Sequence, residues 1–356
     1  MEEKKKCEWL SKHYIVIYIV YLLSLFLFWY FWLPFLNFRD ISFYFYLMLV
    51  LAFPVAIIYA IIKKRYQKND KNTKYTTYRF NKRTGKFEKV FKDITDKYQT
   101  NHLIMRGIFL IVCIFLGIII LFNLTGLKIF NAKAYANQLE IKQGNSEDLN
   151  TIFDYDSGEV LLPRIDKDLA FRLAEARLDE YGSQYSIDYD NFTLISVNRN
   201  DKTELIRVTP LEYATPFVAL SRGDKGTIGY IEVNVITQEA KLVAYPDGEG
   251  LKYMPSAIFG KDLDRHIRTN YPTLMYNDKY FEIDNDGNPY WVIPTIKKEI
   301  GVFSGETPNG VLVVDPRSGK MTHYALNDNH KPDWLQRAVD EAVVAKQADV
   351  LFTKTV

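Results

Sequence analysis

The chain has 356 residues, 48% of them hydrophobic, with 45 Lys+Arg against 43 Asp+Glu and a formal net charge of +2. A quarter of the residues are charged, which excludes a wholly disordered or collagen-like chain, and the near-zero net charge gives no signal for nucleic acid or an acidic substrate. The average hides a division, because the first 124 residues carry 19 Lys+Arg and 8 Asp+Glu whereas the remaining 232 carry 26 and 35.

Three runs, Tyr14 to Leu36, Ile41 to Ile62 and Gly107 to Leu124, contain no Asp, Glu, Lys, Arg or His. A bilayer core about 30 Å thick needs about 20 apolar residues in a helix, so all three are predicted to span it. None has a polar face, which argues against buried core helices. The first run exceeds the h-region of a signal peptide and lacks a small-residue cleavage site. It ends near Trp29-Tyr30-Phe31-Trp32, an aromatic band suited to a membrane interface. Pro54 sits within the second run, where a membrane helix tolerates it. Ion and proton pathways usually need charged groups inside the bilayer, so a transporter built from this chain alone is not expected.

Residues 63–106 hold 14 Lys+Arg and four acids, and residues 1–13 hold four Lys. Basic flanks face the cytoplasm, so the expected topology has a cytoplasmic N-terminus, a basic cytoplasmic loop and an extracytoplasmic chain beyond residue 124. Within the loop, Tyr75–Phe80 and Lys86–Phe91 alternate around Asn81–Gly85 and predict a β-hairpin. Lys63, Lys64, Arg65, Lys82 and Arg83 are the expected contacts to anionic lipid, the nearest anion to a segment joined to the membrane at both ends. A protein partner is the second reading there, and nucleic acid is not expected.

The exported part has no Cys, since Cys7 and Cys113 both precede residue 125, and this fits a bacterial envelope protein. A polar linker is expected over 125–164, then a first α+β unit over 165–250 and a second over 251–356. In the first, Asp166-Lys-Asp168 opens an amphipathic helix ended by Gly182. Strands are predicted at Phe192–Val197, Glu204–Val208, Phe217–Ser221, Ile228–Ile236 and Ala240–Ala244. In the second, a short helix over Lys261–Arg268 precedes strands at Tyr280–Ile283, Tyr290–Ile293, Val311–Val314 and Met321–Ala325. A terminal helix is expected from Asp333 to about Leu351. The fold class is therefore an α-helical membrane region of three transmembrane helices plus an extracytoplasmic α+β domain with duplicated helix-plus-antiparallel-hairpin units. The duplication rests on Gly229–Val243 and Gly310–Tyr324, which align 81 residues apart, and on Lys167-Asp-Leu and Lys261-Asp-Leu, 94 apart.

Helix, strands and then Val313-Val-Asp-Pro-Arg-Ser-Gly-Lys-Met321 resemble the PepSY-type module of bacterial envelope proteins over about residues 160–345. The resemblance implies a helix against an antiparallel sheet closed by a hairpin, with Asp315 and Gly319 as its turn residues and Ser318 for the usual Thr. The first copy departs from that pattern at Asn234 and Gln238. Gly229-Tyr-Ile-Glu-Val-Asn and Asn288-Pro-Tyr-Trp-Val-Ile-Pro are also similar to large membrane proteins of Gram-positive bacteria that run further at the C-terminus, which implies a short form or a fragment. The family implies binding or inhibition of proteases, not catalysis.

Asp284 and Asp286, beside Gly287, are weak candidates for a calcium loop, but Ile293 stands where a bidentate Glu is needed and a hairpin turn fits better. Asp154, Asp156 and Glu159 form an acidic cluster that reads as a solvated loop. His266, His323 and His330 lack metal-ligand spacing, and no nucleophile elbow, P-loop or dinucleotide fingerprint occurs. No cofactor and no enzymatic activity are expected. A partner surface is sought at Arg265, His266, Arg268, Trp291 and Trp334, weighed against a solvated helix face and core packing. The expected function is a membrane-anchored extracytoplasmic binding protein of the cell envelope that engages a protein partner, with strand addition at a sheet edge as one mode. A subunit of a larger membrane complex is the alternative, and an envelope hydrolase is the third reading.

Overall fold

The computed structural model describes residues 2–69, 76–81, 86–91, 96–139, 162–178, 181–200, 202–222 and 224–352. The chain forms two compact units, one of Met1–Pro34 and Phe38–Leu124, the other of Phe35–Asn37 and Thr125–Val356.

The first unit is built on three long helices, α1 (Glu2–Trp32), α2 (Ile41–Asn69) and α3 (Asp96–Thr125), with a hairpin of β1 (Thr76–Asn81) and β2 (Lys86–Phe91) between the last two. Among the described residues, Ile41–Tyr59 and Met105–Thr125 are long and apolar enough to cross a membrane, and Tyr18–Trp32 is a shorter apolar stretch. The expected first span of 14–36 is cut back, because helix α1 stops at Trp32. Leu33 has φ of 51° and precedes Pro34, whose ring disfavours helical backbone in the residue before it. Pro54 lies inside α2. The Tyr21 hydroxyl of α1 donates to the Leu49 and Val50 carbonyls of α2. Outward, the helices expose Phe26, Leu27 and Phe31, then Leu51 and Ile58, then Phe109, Ile114, Ile120 and Leu121. Lys63, Lys64 and Arg65 continue α2, while Lys82 and Arg83 lie outside the described residues.

The second unit is β-rich. After α4 (Lys128–Ala136), which lies inside the expected linker, come α5 (Lys167–Arg177), β3 (Tyr185–Ile187), β4 (Thr193–Arg199), β5 (Lys202–Tyr213), α6 (Pro216–Arg222), β6 (Gly229–Asn234) and β7 (Ala240–Ala244). Then follow a 3-10 turn (Phe259–Lys261), α7 (Leu263–Asn270), β8 (Met275–Tyr276), β9 (Tyr280–Ile283), β10 (Pro289–Ile300), β11 (Ser304–Val314), β12 (Met321–Ala325) and α8 (Glu341–Phe352).

Two antiparallel five-stranded sheets share one topology. In the first, the long β5 pairs β4 along its first half, β3 at its end and β6, which pairs β7. In the second, the long β10 pairs β9, then β8, and β11, which pairs β12. A helix precedes each sheet and is capped alike: Asp166 accepts from the Leu169 N–H and Asp262 from the Arg265 N–H, each at 2.8 Å. The caps lie 96 residues apart, so the two Lys-Asp-Leu triplets do not occupy equivalent helix positions.

The hairpins that end the sheets match in strand register and in the main bonds of their turns at the 81-residue offset. Gly229 pairs with Ala244 and Gly310 with Ala325. A Cβ at either glycine would lie 1.9 Å from the Val243 carbonyl oxygen or 2.3 Å from that of Tyr324, so both positions require glycine. Asn234 Oδ1 accepts from the Ile236 and Thr237 N–H groups as Asp315 Oδ1 accepts from those of Arg317 and Ser318. Gln238, at φ of 65°, stands where Gly319 has φ of 75°.

One hydrophobic core runs through both repeats, from Ala170, Ala174, Ile231 and Val233 to Leu263, Ile267, Trp291 and Leu312. Tyr230 of the first sheet meets Phe281 of the second at 5.9 Å, and Phe281 meets Trp291 at 5.4 Å. Several elements differ from expectation, among them the first helix of the unit, which ends at Arg177 and not at Gly182. Phe217–Ser221 is helix, not strand. Strands β5, β10 and β11 are longer than expected and β3 and β8 are additional. The terminal helix begins at Glu341, not Asp333. Residues 331–340 instead form a strap: Trp334, Leu335 and Ala338 cover Val292, Val311 and Val313, and Gln336 and Arg337 bond Ser196 and the Leu194 carbonyl of the first sheet. Burial drives that apolar spacing in extended form as well as it would in a helix, and Asp340, not Asp333, accepts from the Ala342 and Val343 N–H groups.

Candidate interaction site

The residues expected to form a partner surface are engaged in the fold. Trp291 is fully buried and its indole N–H donates to the Tyr253 carbonyl at 3.0 Å. Arg268 is buried, lies against the rings of Phe35 (3.1 Å) and Tyr276 (4.5 Å) and donates to the Leu274 carbonyl. His266 Nε2 sits 2.8 Å from the Gly319 carbonyl oxygen while its ring lies against that of Tyr253, centroids 4.2 Å apart and planes tilted by 38°. Arg265 donates to the Phe259 carbonyl at 2.7 Å. Trp334 is half-buried and stacks on Tyr290, ring centroids 4.7 Å apart and planes 20° apart. These side chains therefore join elements of the unit: Trp291 and Arg268 are buried, and Arg265, His266 and Trp334 are half-buried.

The Asp284–Gly287 and Asp315–Gly319 segments are turns, as expected. Asp284 is nearly buried and its oxygens accept from the Asp286 N–H, the Asn288 N–H and the Asn288 side-chain amide, which closes the β9–β10 turn. Asp286 is exposed. Asp154, Asp156 and Glu159 lie outside the described residues. The Asp315–Gly319 turn is a lock between repeats. Pro316 accepts from the Lys252 and Tyr253 N–H groups, Arg317 lies over Tyr245 at 4.4 Å and bonds Glu249, and the Tyr253 ring covers Gly319.

An exposed apolar cluster occurs elsewhere. Helix α6 turns Ala219 into the core and leaves Phe217 and Leu220 83% and 60% exposed. Thr215 caps this helix, its hydroxyl accepting from the Val218 N–H at 3.3 Å, and Pro216 takes the first helical position, where its missing N–H costs nothing. Phe259, 64% exposed, lies in the 3-10 turn at φ of 55°, a left-handed conformation that costs a bulky residue about 1–3 kcal/mol and persists only where its surroundings impose it.

The same contacts bring both segments to one end of the unit. Lys261 pairs with Asp224, just beyond α6. The Ser256 hydroxyl accepts from the Tyr213 N–H at 2.9 Å, and the Ser256 N–H donates to Glu212 Oε2 at 3.0 Å. Arg222 bonds Gln184 and lies over Tyr185, and Lys225 pairs with Asp247 at 2.7 Å. Glu212 is buried beneath this platform, and its Oε1 has no hydrogen-bond partner among the described residues. Burial pushes its carboxyl up to about 7, against the opposing hydrogen bond from Ser256.

Phe217 and Leu220 on α6 and Phe259 in the 3-10 turn are thus exposed apolar side chains on two segments tied together by these contacts, with Arg222, Lys225, Lys261 and Arg265 close to them in sequence. Sequence reasoning missed this arrangement by reading Phe217–Ser221 as a strand, although Thr215-Pro216 ahead of an apolar run is a helix start. Such exposed large apolar side chains suit a protein–protein contact. Among the described residues no group of three or more His, Cys, Asp or Glu stands close enough to hold a metal ion. Comparison of the chain with known protein families, curated proteins and solved structures finds no match.

Proposed function

We propose that this chain is a membrane-anchored binding protein of a bacterial cell envelope, with its PepSY-like β-rich unit outside the cytoplasm and its Phe217–Leu220–Phe259 tip as the docking surface for another envelope protein. The tip carries the reading: three large apolar side chains stay exposed on elements whose neighbours are fixed by hydrogen bonds and ion pairs, one of them at a strained backbone position.

Three spans, near residues 14–32, 41–62 and 107–124, anchor the chain, with the N-terminus and the basic loop in the cytoplasm and Lys63, Lys64, Arg65, Lys82 and Arg83 against anionic lipid. Two features support this topology. The exposed side chains of α1, α2 and α3 are those that hydrocarbon accepts. The α1–α2 link packs into the second unit, where the Leu36 N–H donates to the Pro272 carbonyl and the Asn37 side chain to that of Thr273, each at 2.8 Å. A link and a unit that share hydrogen bonds lie on the same side of any bilayer, and one span before the link and three before the unit meet that requirement.

The test is affinity purification of the full-length chain from membranes of its own host. The native chain is expected to retain a protein partner, and Phe217→Asp with Phe259→Asp to lose it while remaining folded. Recovery of the same partner by the doubly substituted chain would remove the tip from the interface.

A further inference from the structure

We infer that Leu127, Ile129 and Phe130, at the start of α4, are a lipid-contacting foot of the β-rich unit, seated in the headgroup region of the leaflet where α3 ends. The inference rests on the membrane reading above and deepens it.

Helix α3 stops at Thr125 and α4 starts at Lys128, so the two-residue connection Gly126–Leu127 keeps α4 at the end of the apolar stretch Met105–Thr125. Ile129 and Phe130 are 84% and 73% exposed, and among the described large apolar side chains of the second unit only Phe217, at 83%, otherwise exceeds Phe130. Their position is fixed from within. The Asn131 side-chain amide donates to the Thr125 carbonyl at 2.7 Å and to that of Leu127 at 3.1 Å, and the Tyr135 hydroxyl donates to the Gly126 carbonyl at 2.8 Å. The carbonyls that a helix end leaves without intrahelical partners are thereby satisfied by side chains rather than by water.

The other side of this elbow belongs to the folded unit. Helix α4 packs against α8 and β10. At the turn after β10, Gly301 (φ 60°) approaches so closely that a Cβ there would lie 2.7 Å from the Gly126 nitrogen. The segment, kinked at Asn131, is thus held against the β10–β11 turn and leaves Leu127, Ile129 and Phe130 exposed, with Lys128 and Lys133 near them in sequence. An apolar face with flanking lysines at a membrane exit is the chemistry of an interfacial helix: apolar groups enter the acyl boundary while the ammonium groups meet phosphate. Continuity with α3 makes the lipid surface the occupant rather than a second protein.

The test uses the full-length chain with Cys7→Ser and Cys113→Ala, reconstituted in vesicles of phosphatidylcholine and phosphatidylglycerol. Single cysteines at Ile129→Cys, Phe130→Cys, Ile120→Cys in α3 and Lys202→Cys at the start of β5 are spin-labelled. Collision with dioxygen, which partitions into lipid, is compared with collision with a water-soluble nickel chelate. The expected oxygen-to-nickel ratio at 129 and 130 is several-fold above that at 202 and approaches that at 120. A ratio at 129 and 130 equal to that at 202 would overturn the foot, as would exclusion of both reagents, which marks a protein cover. A water-like ratio at 120 as well would overturn the membrane reading itself.

Discussion

The two repeats of the β-rich unit share a strand order, a helix cap and a closing hairpin, yet they differ in the connection between their third and fourth strands. In the second repeat β10 turns directly into β11 over Gly301–Phe303, and the pair forms one long ribbon. In the first, β5 and β6 are separated by residues 214–228, which carry α6 and the exposed Phe217 and Leu220. The conserved frame supplies the core; the inserted connection supplies the surface. The hairpin turns repeat the lesson at smaller scale. Asn234 replaces Asp315 and keeps the two bonds from backbone N–H groups, because these need one side-chain oxygen and either residue supplies it; the second Asp315 oxygen additionally accepts from the Ser318 hydroxyl. Gln238 keeps the left-handed backbone that Gly319 adopts at no steric cost.

Substitutions can break this comparison in order of effect. Trp291→Ala empties the place where both repeats meet and should cost about 3–5 kcal/mol, read from thermal unfolding of the detergent-solubilised chain; a loss as small as that of a surface residue would mean that the repeats do not share a core. Arg337→Ala strands Glu282, which is buried and faces that guanidinium at 3.2 Å, and should cost about 3 kcal/mol. Adding Glu282→Gln should return part of that loss, and no recovery would assign the cost to the strap's packing instead. Burial raises the Glu282 carboxyl even with Arg337 beside it, so the pair depends on that partner.

The closing turns should respond in opposite directions. Gly319→Gln meets both a left-handed φ and the Tyr253 ring, whose Cζ would lie 2.4 Å from a Cβ, and should destabilise by about 2 kcal/mol. Gln238→Gly, which relieves strain but adds chain entropy, should gain only about 0.5 kcal/mol. Equal responses would refute the equivalence of the two positions in kind. Between these in size lies Glu212. Its folded carboxyl titrates near 7 against an ordinary 4.5, so the fold favours the protonated form. Stability from this group is complete below about pH 4.5, falls as pH rises through 7 and is level above it. Glu212→Gln should flatten that fall and leave the variant more stable than the native chain above pH 7, by about 1–2 kcal/mol. Parallel pH curves for the two chains would show that Glu212 is not buried as described.

Much of the frame was legible in the sequence. Strands at Ala240–Ala244, Tyr280–Ile283 and Met321–Ala325 have the expected bounds, since alternation between turn residues marks both their ends. The 81-residue repeat was legible because a hairpin is a local object whose turn chemistry is written in five or six residues. The tip was not, because Phe217-Val-Ala-Leu has strand-like composition and only its Thr-Pro start betrays the helix. The strap was not, because the spacing of Trp334, Leu335 and Ala338 fits a helix equally well and only contact with Val292, Val311 and Val313 decides. The burial of Arg268 and Trp291 was not legible for the same reason: they look like a binding set until Phe35, from 233 positions upstream of Arg268, and Tyr253 are brought against them.

The central claim, that the inserted connection and not the shared frame meets a partner, is tested most directly by photo-crosslinking in intact cells. Benzoylphenylalanine placed at position 217 should yield a discrete protein adduct, and the same group at exposed position 202 on the frame should not. Adducts at 202 with none at 217 would contradict the account.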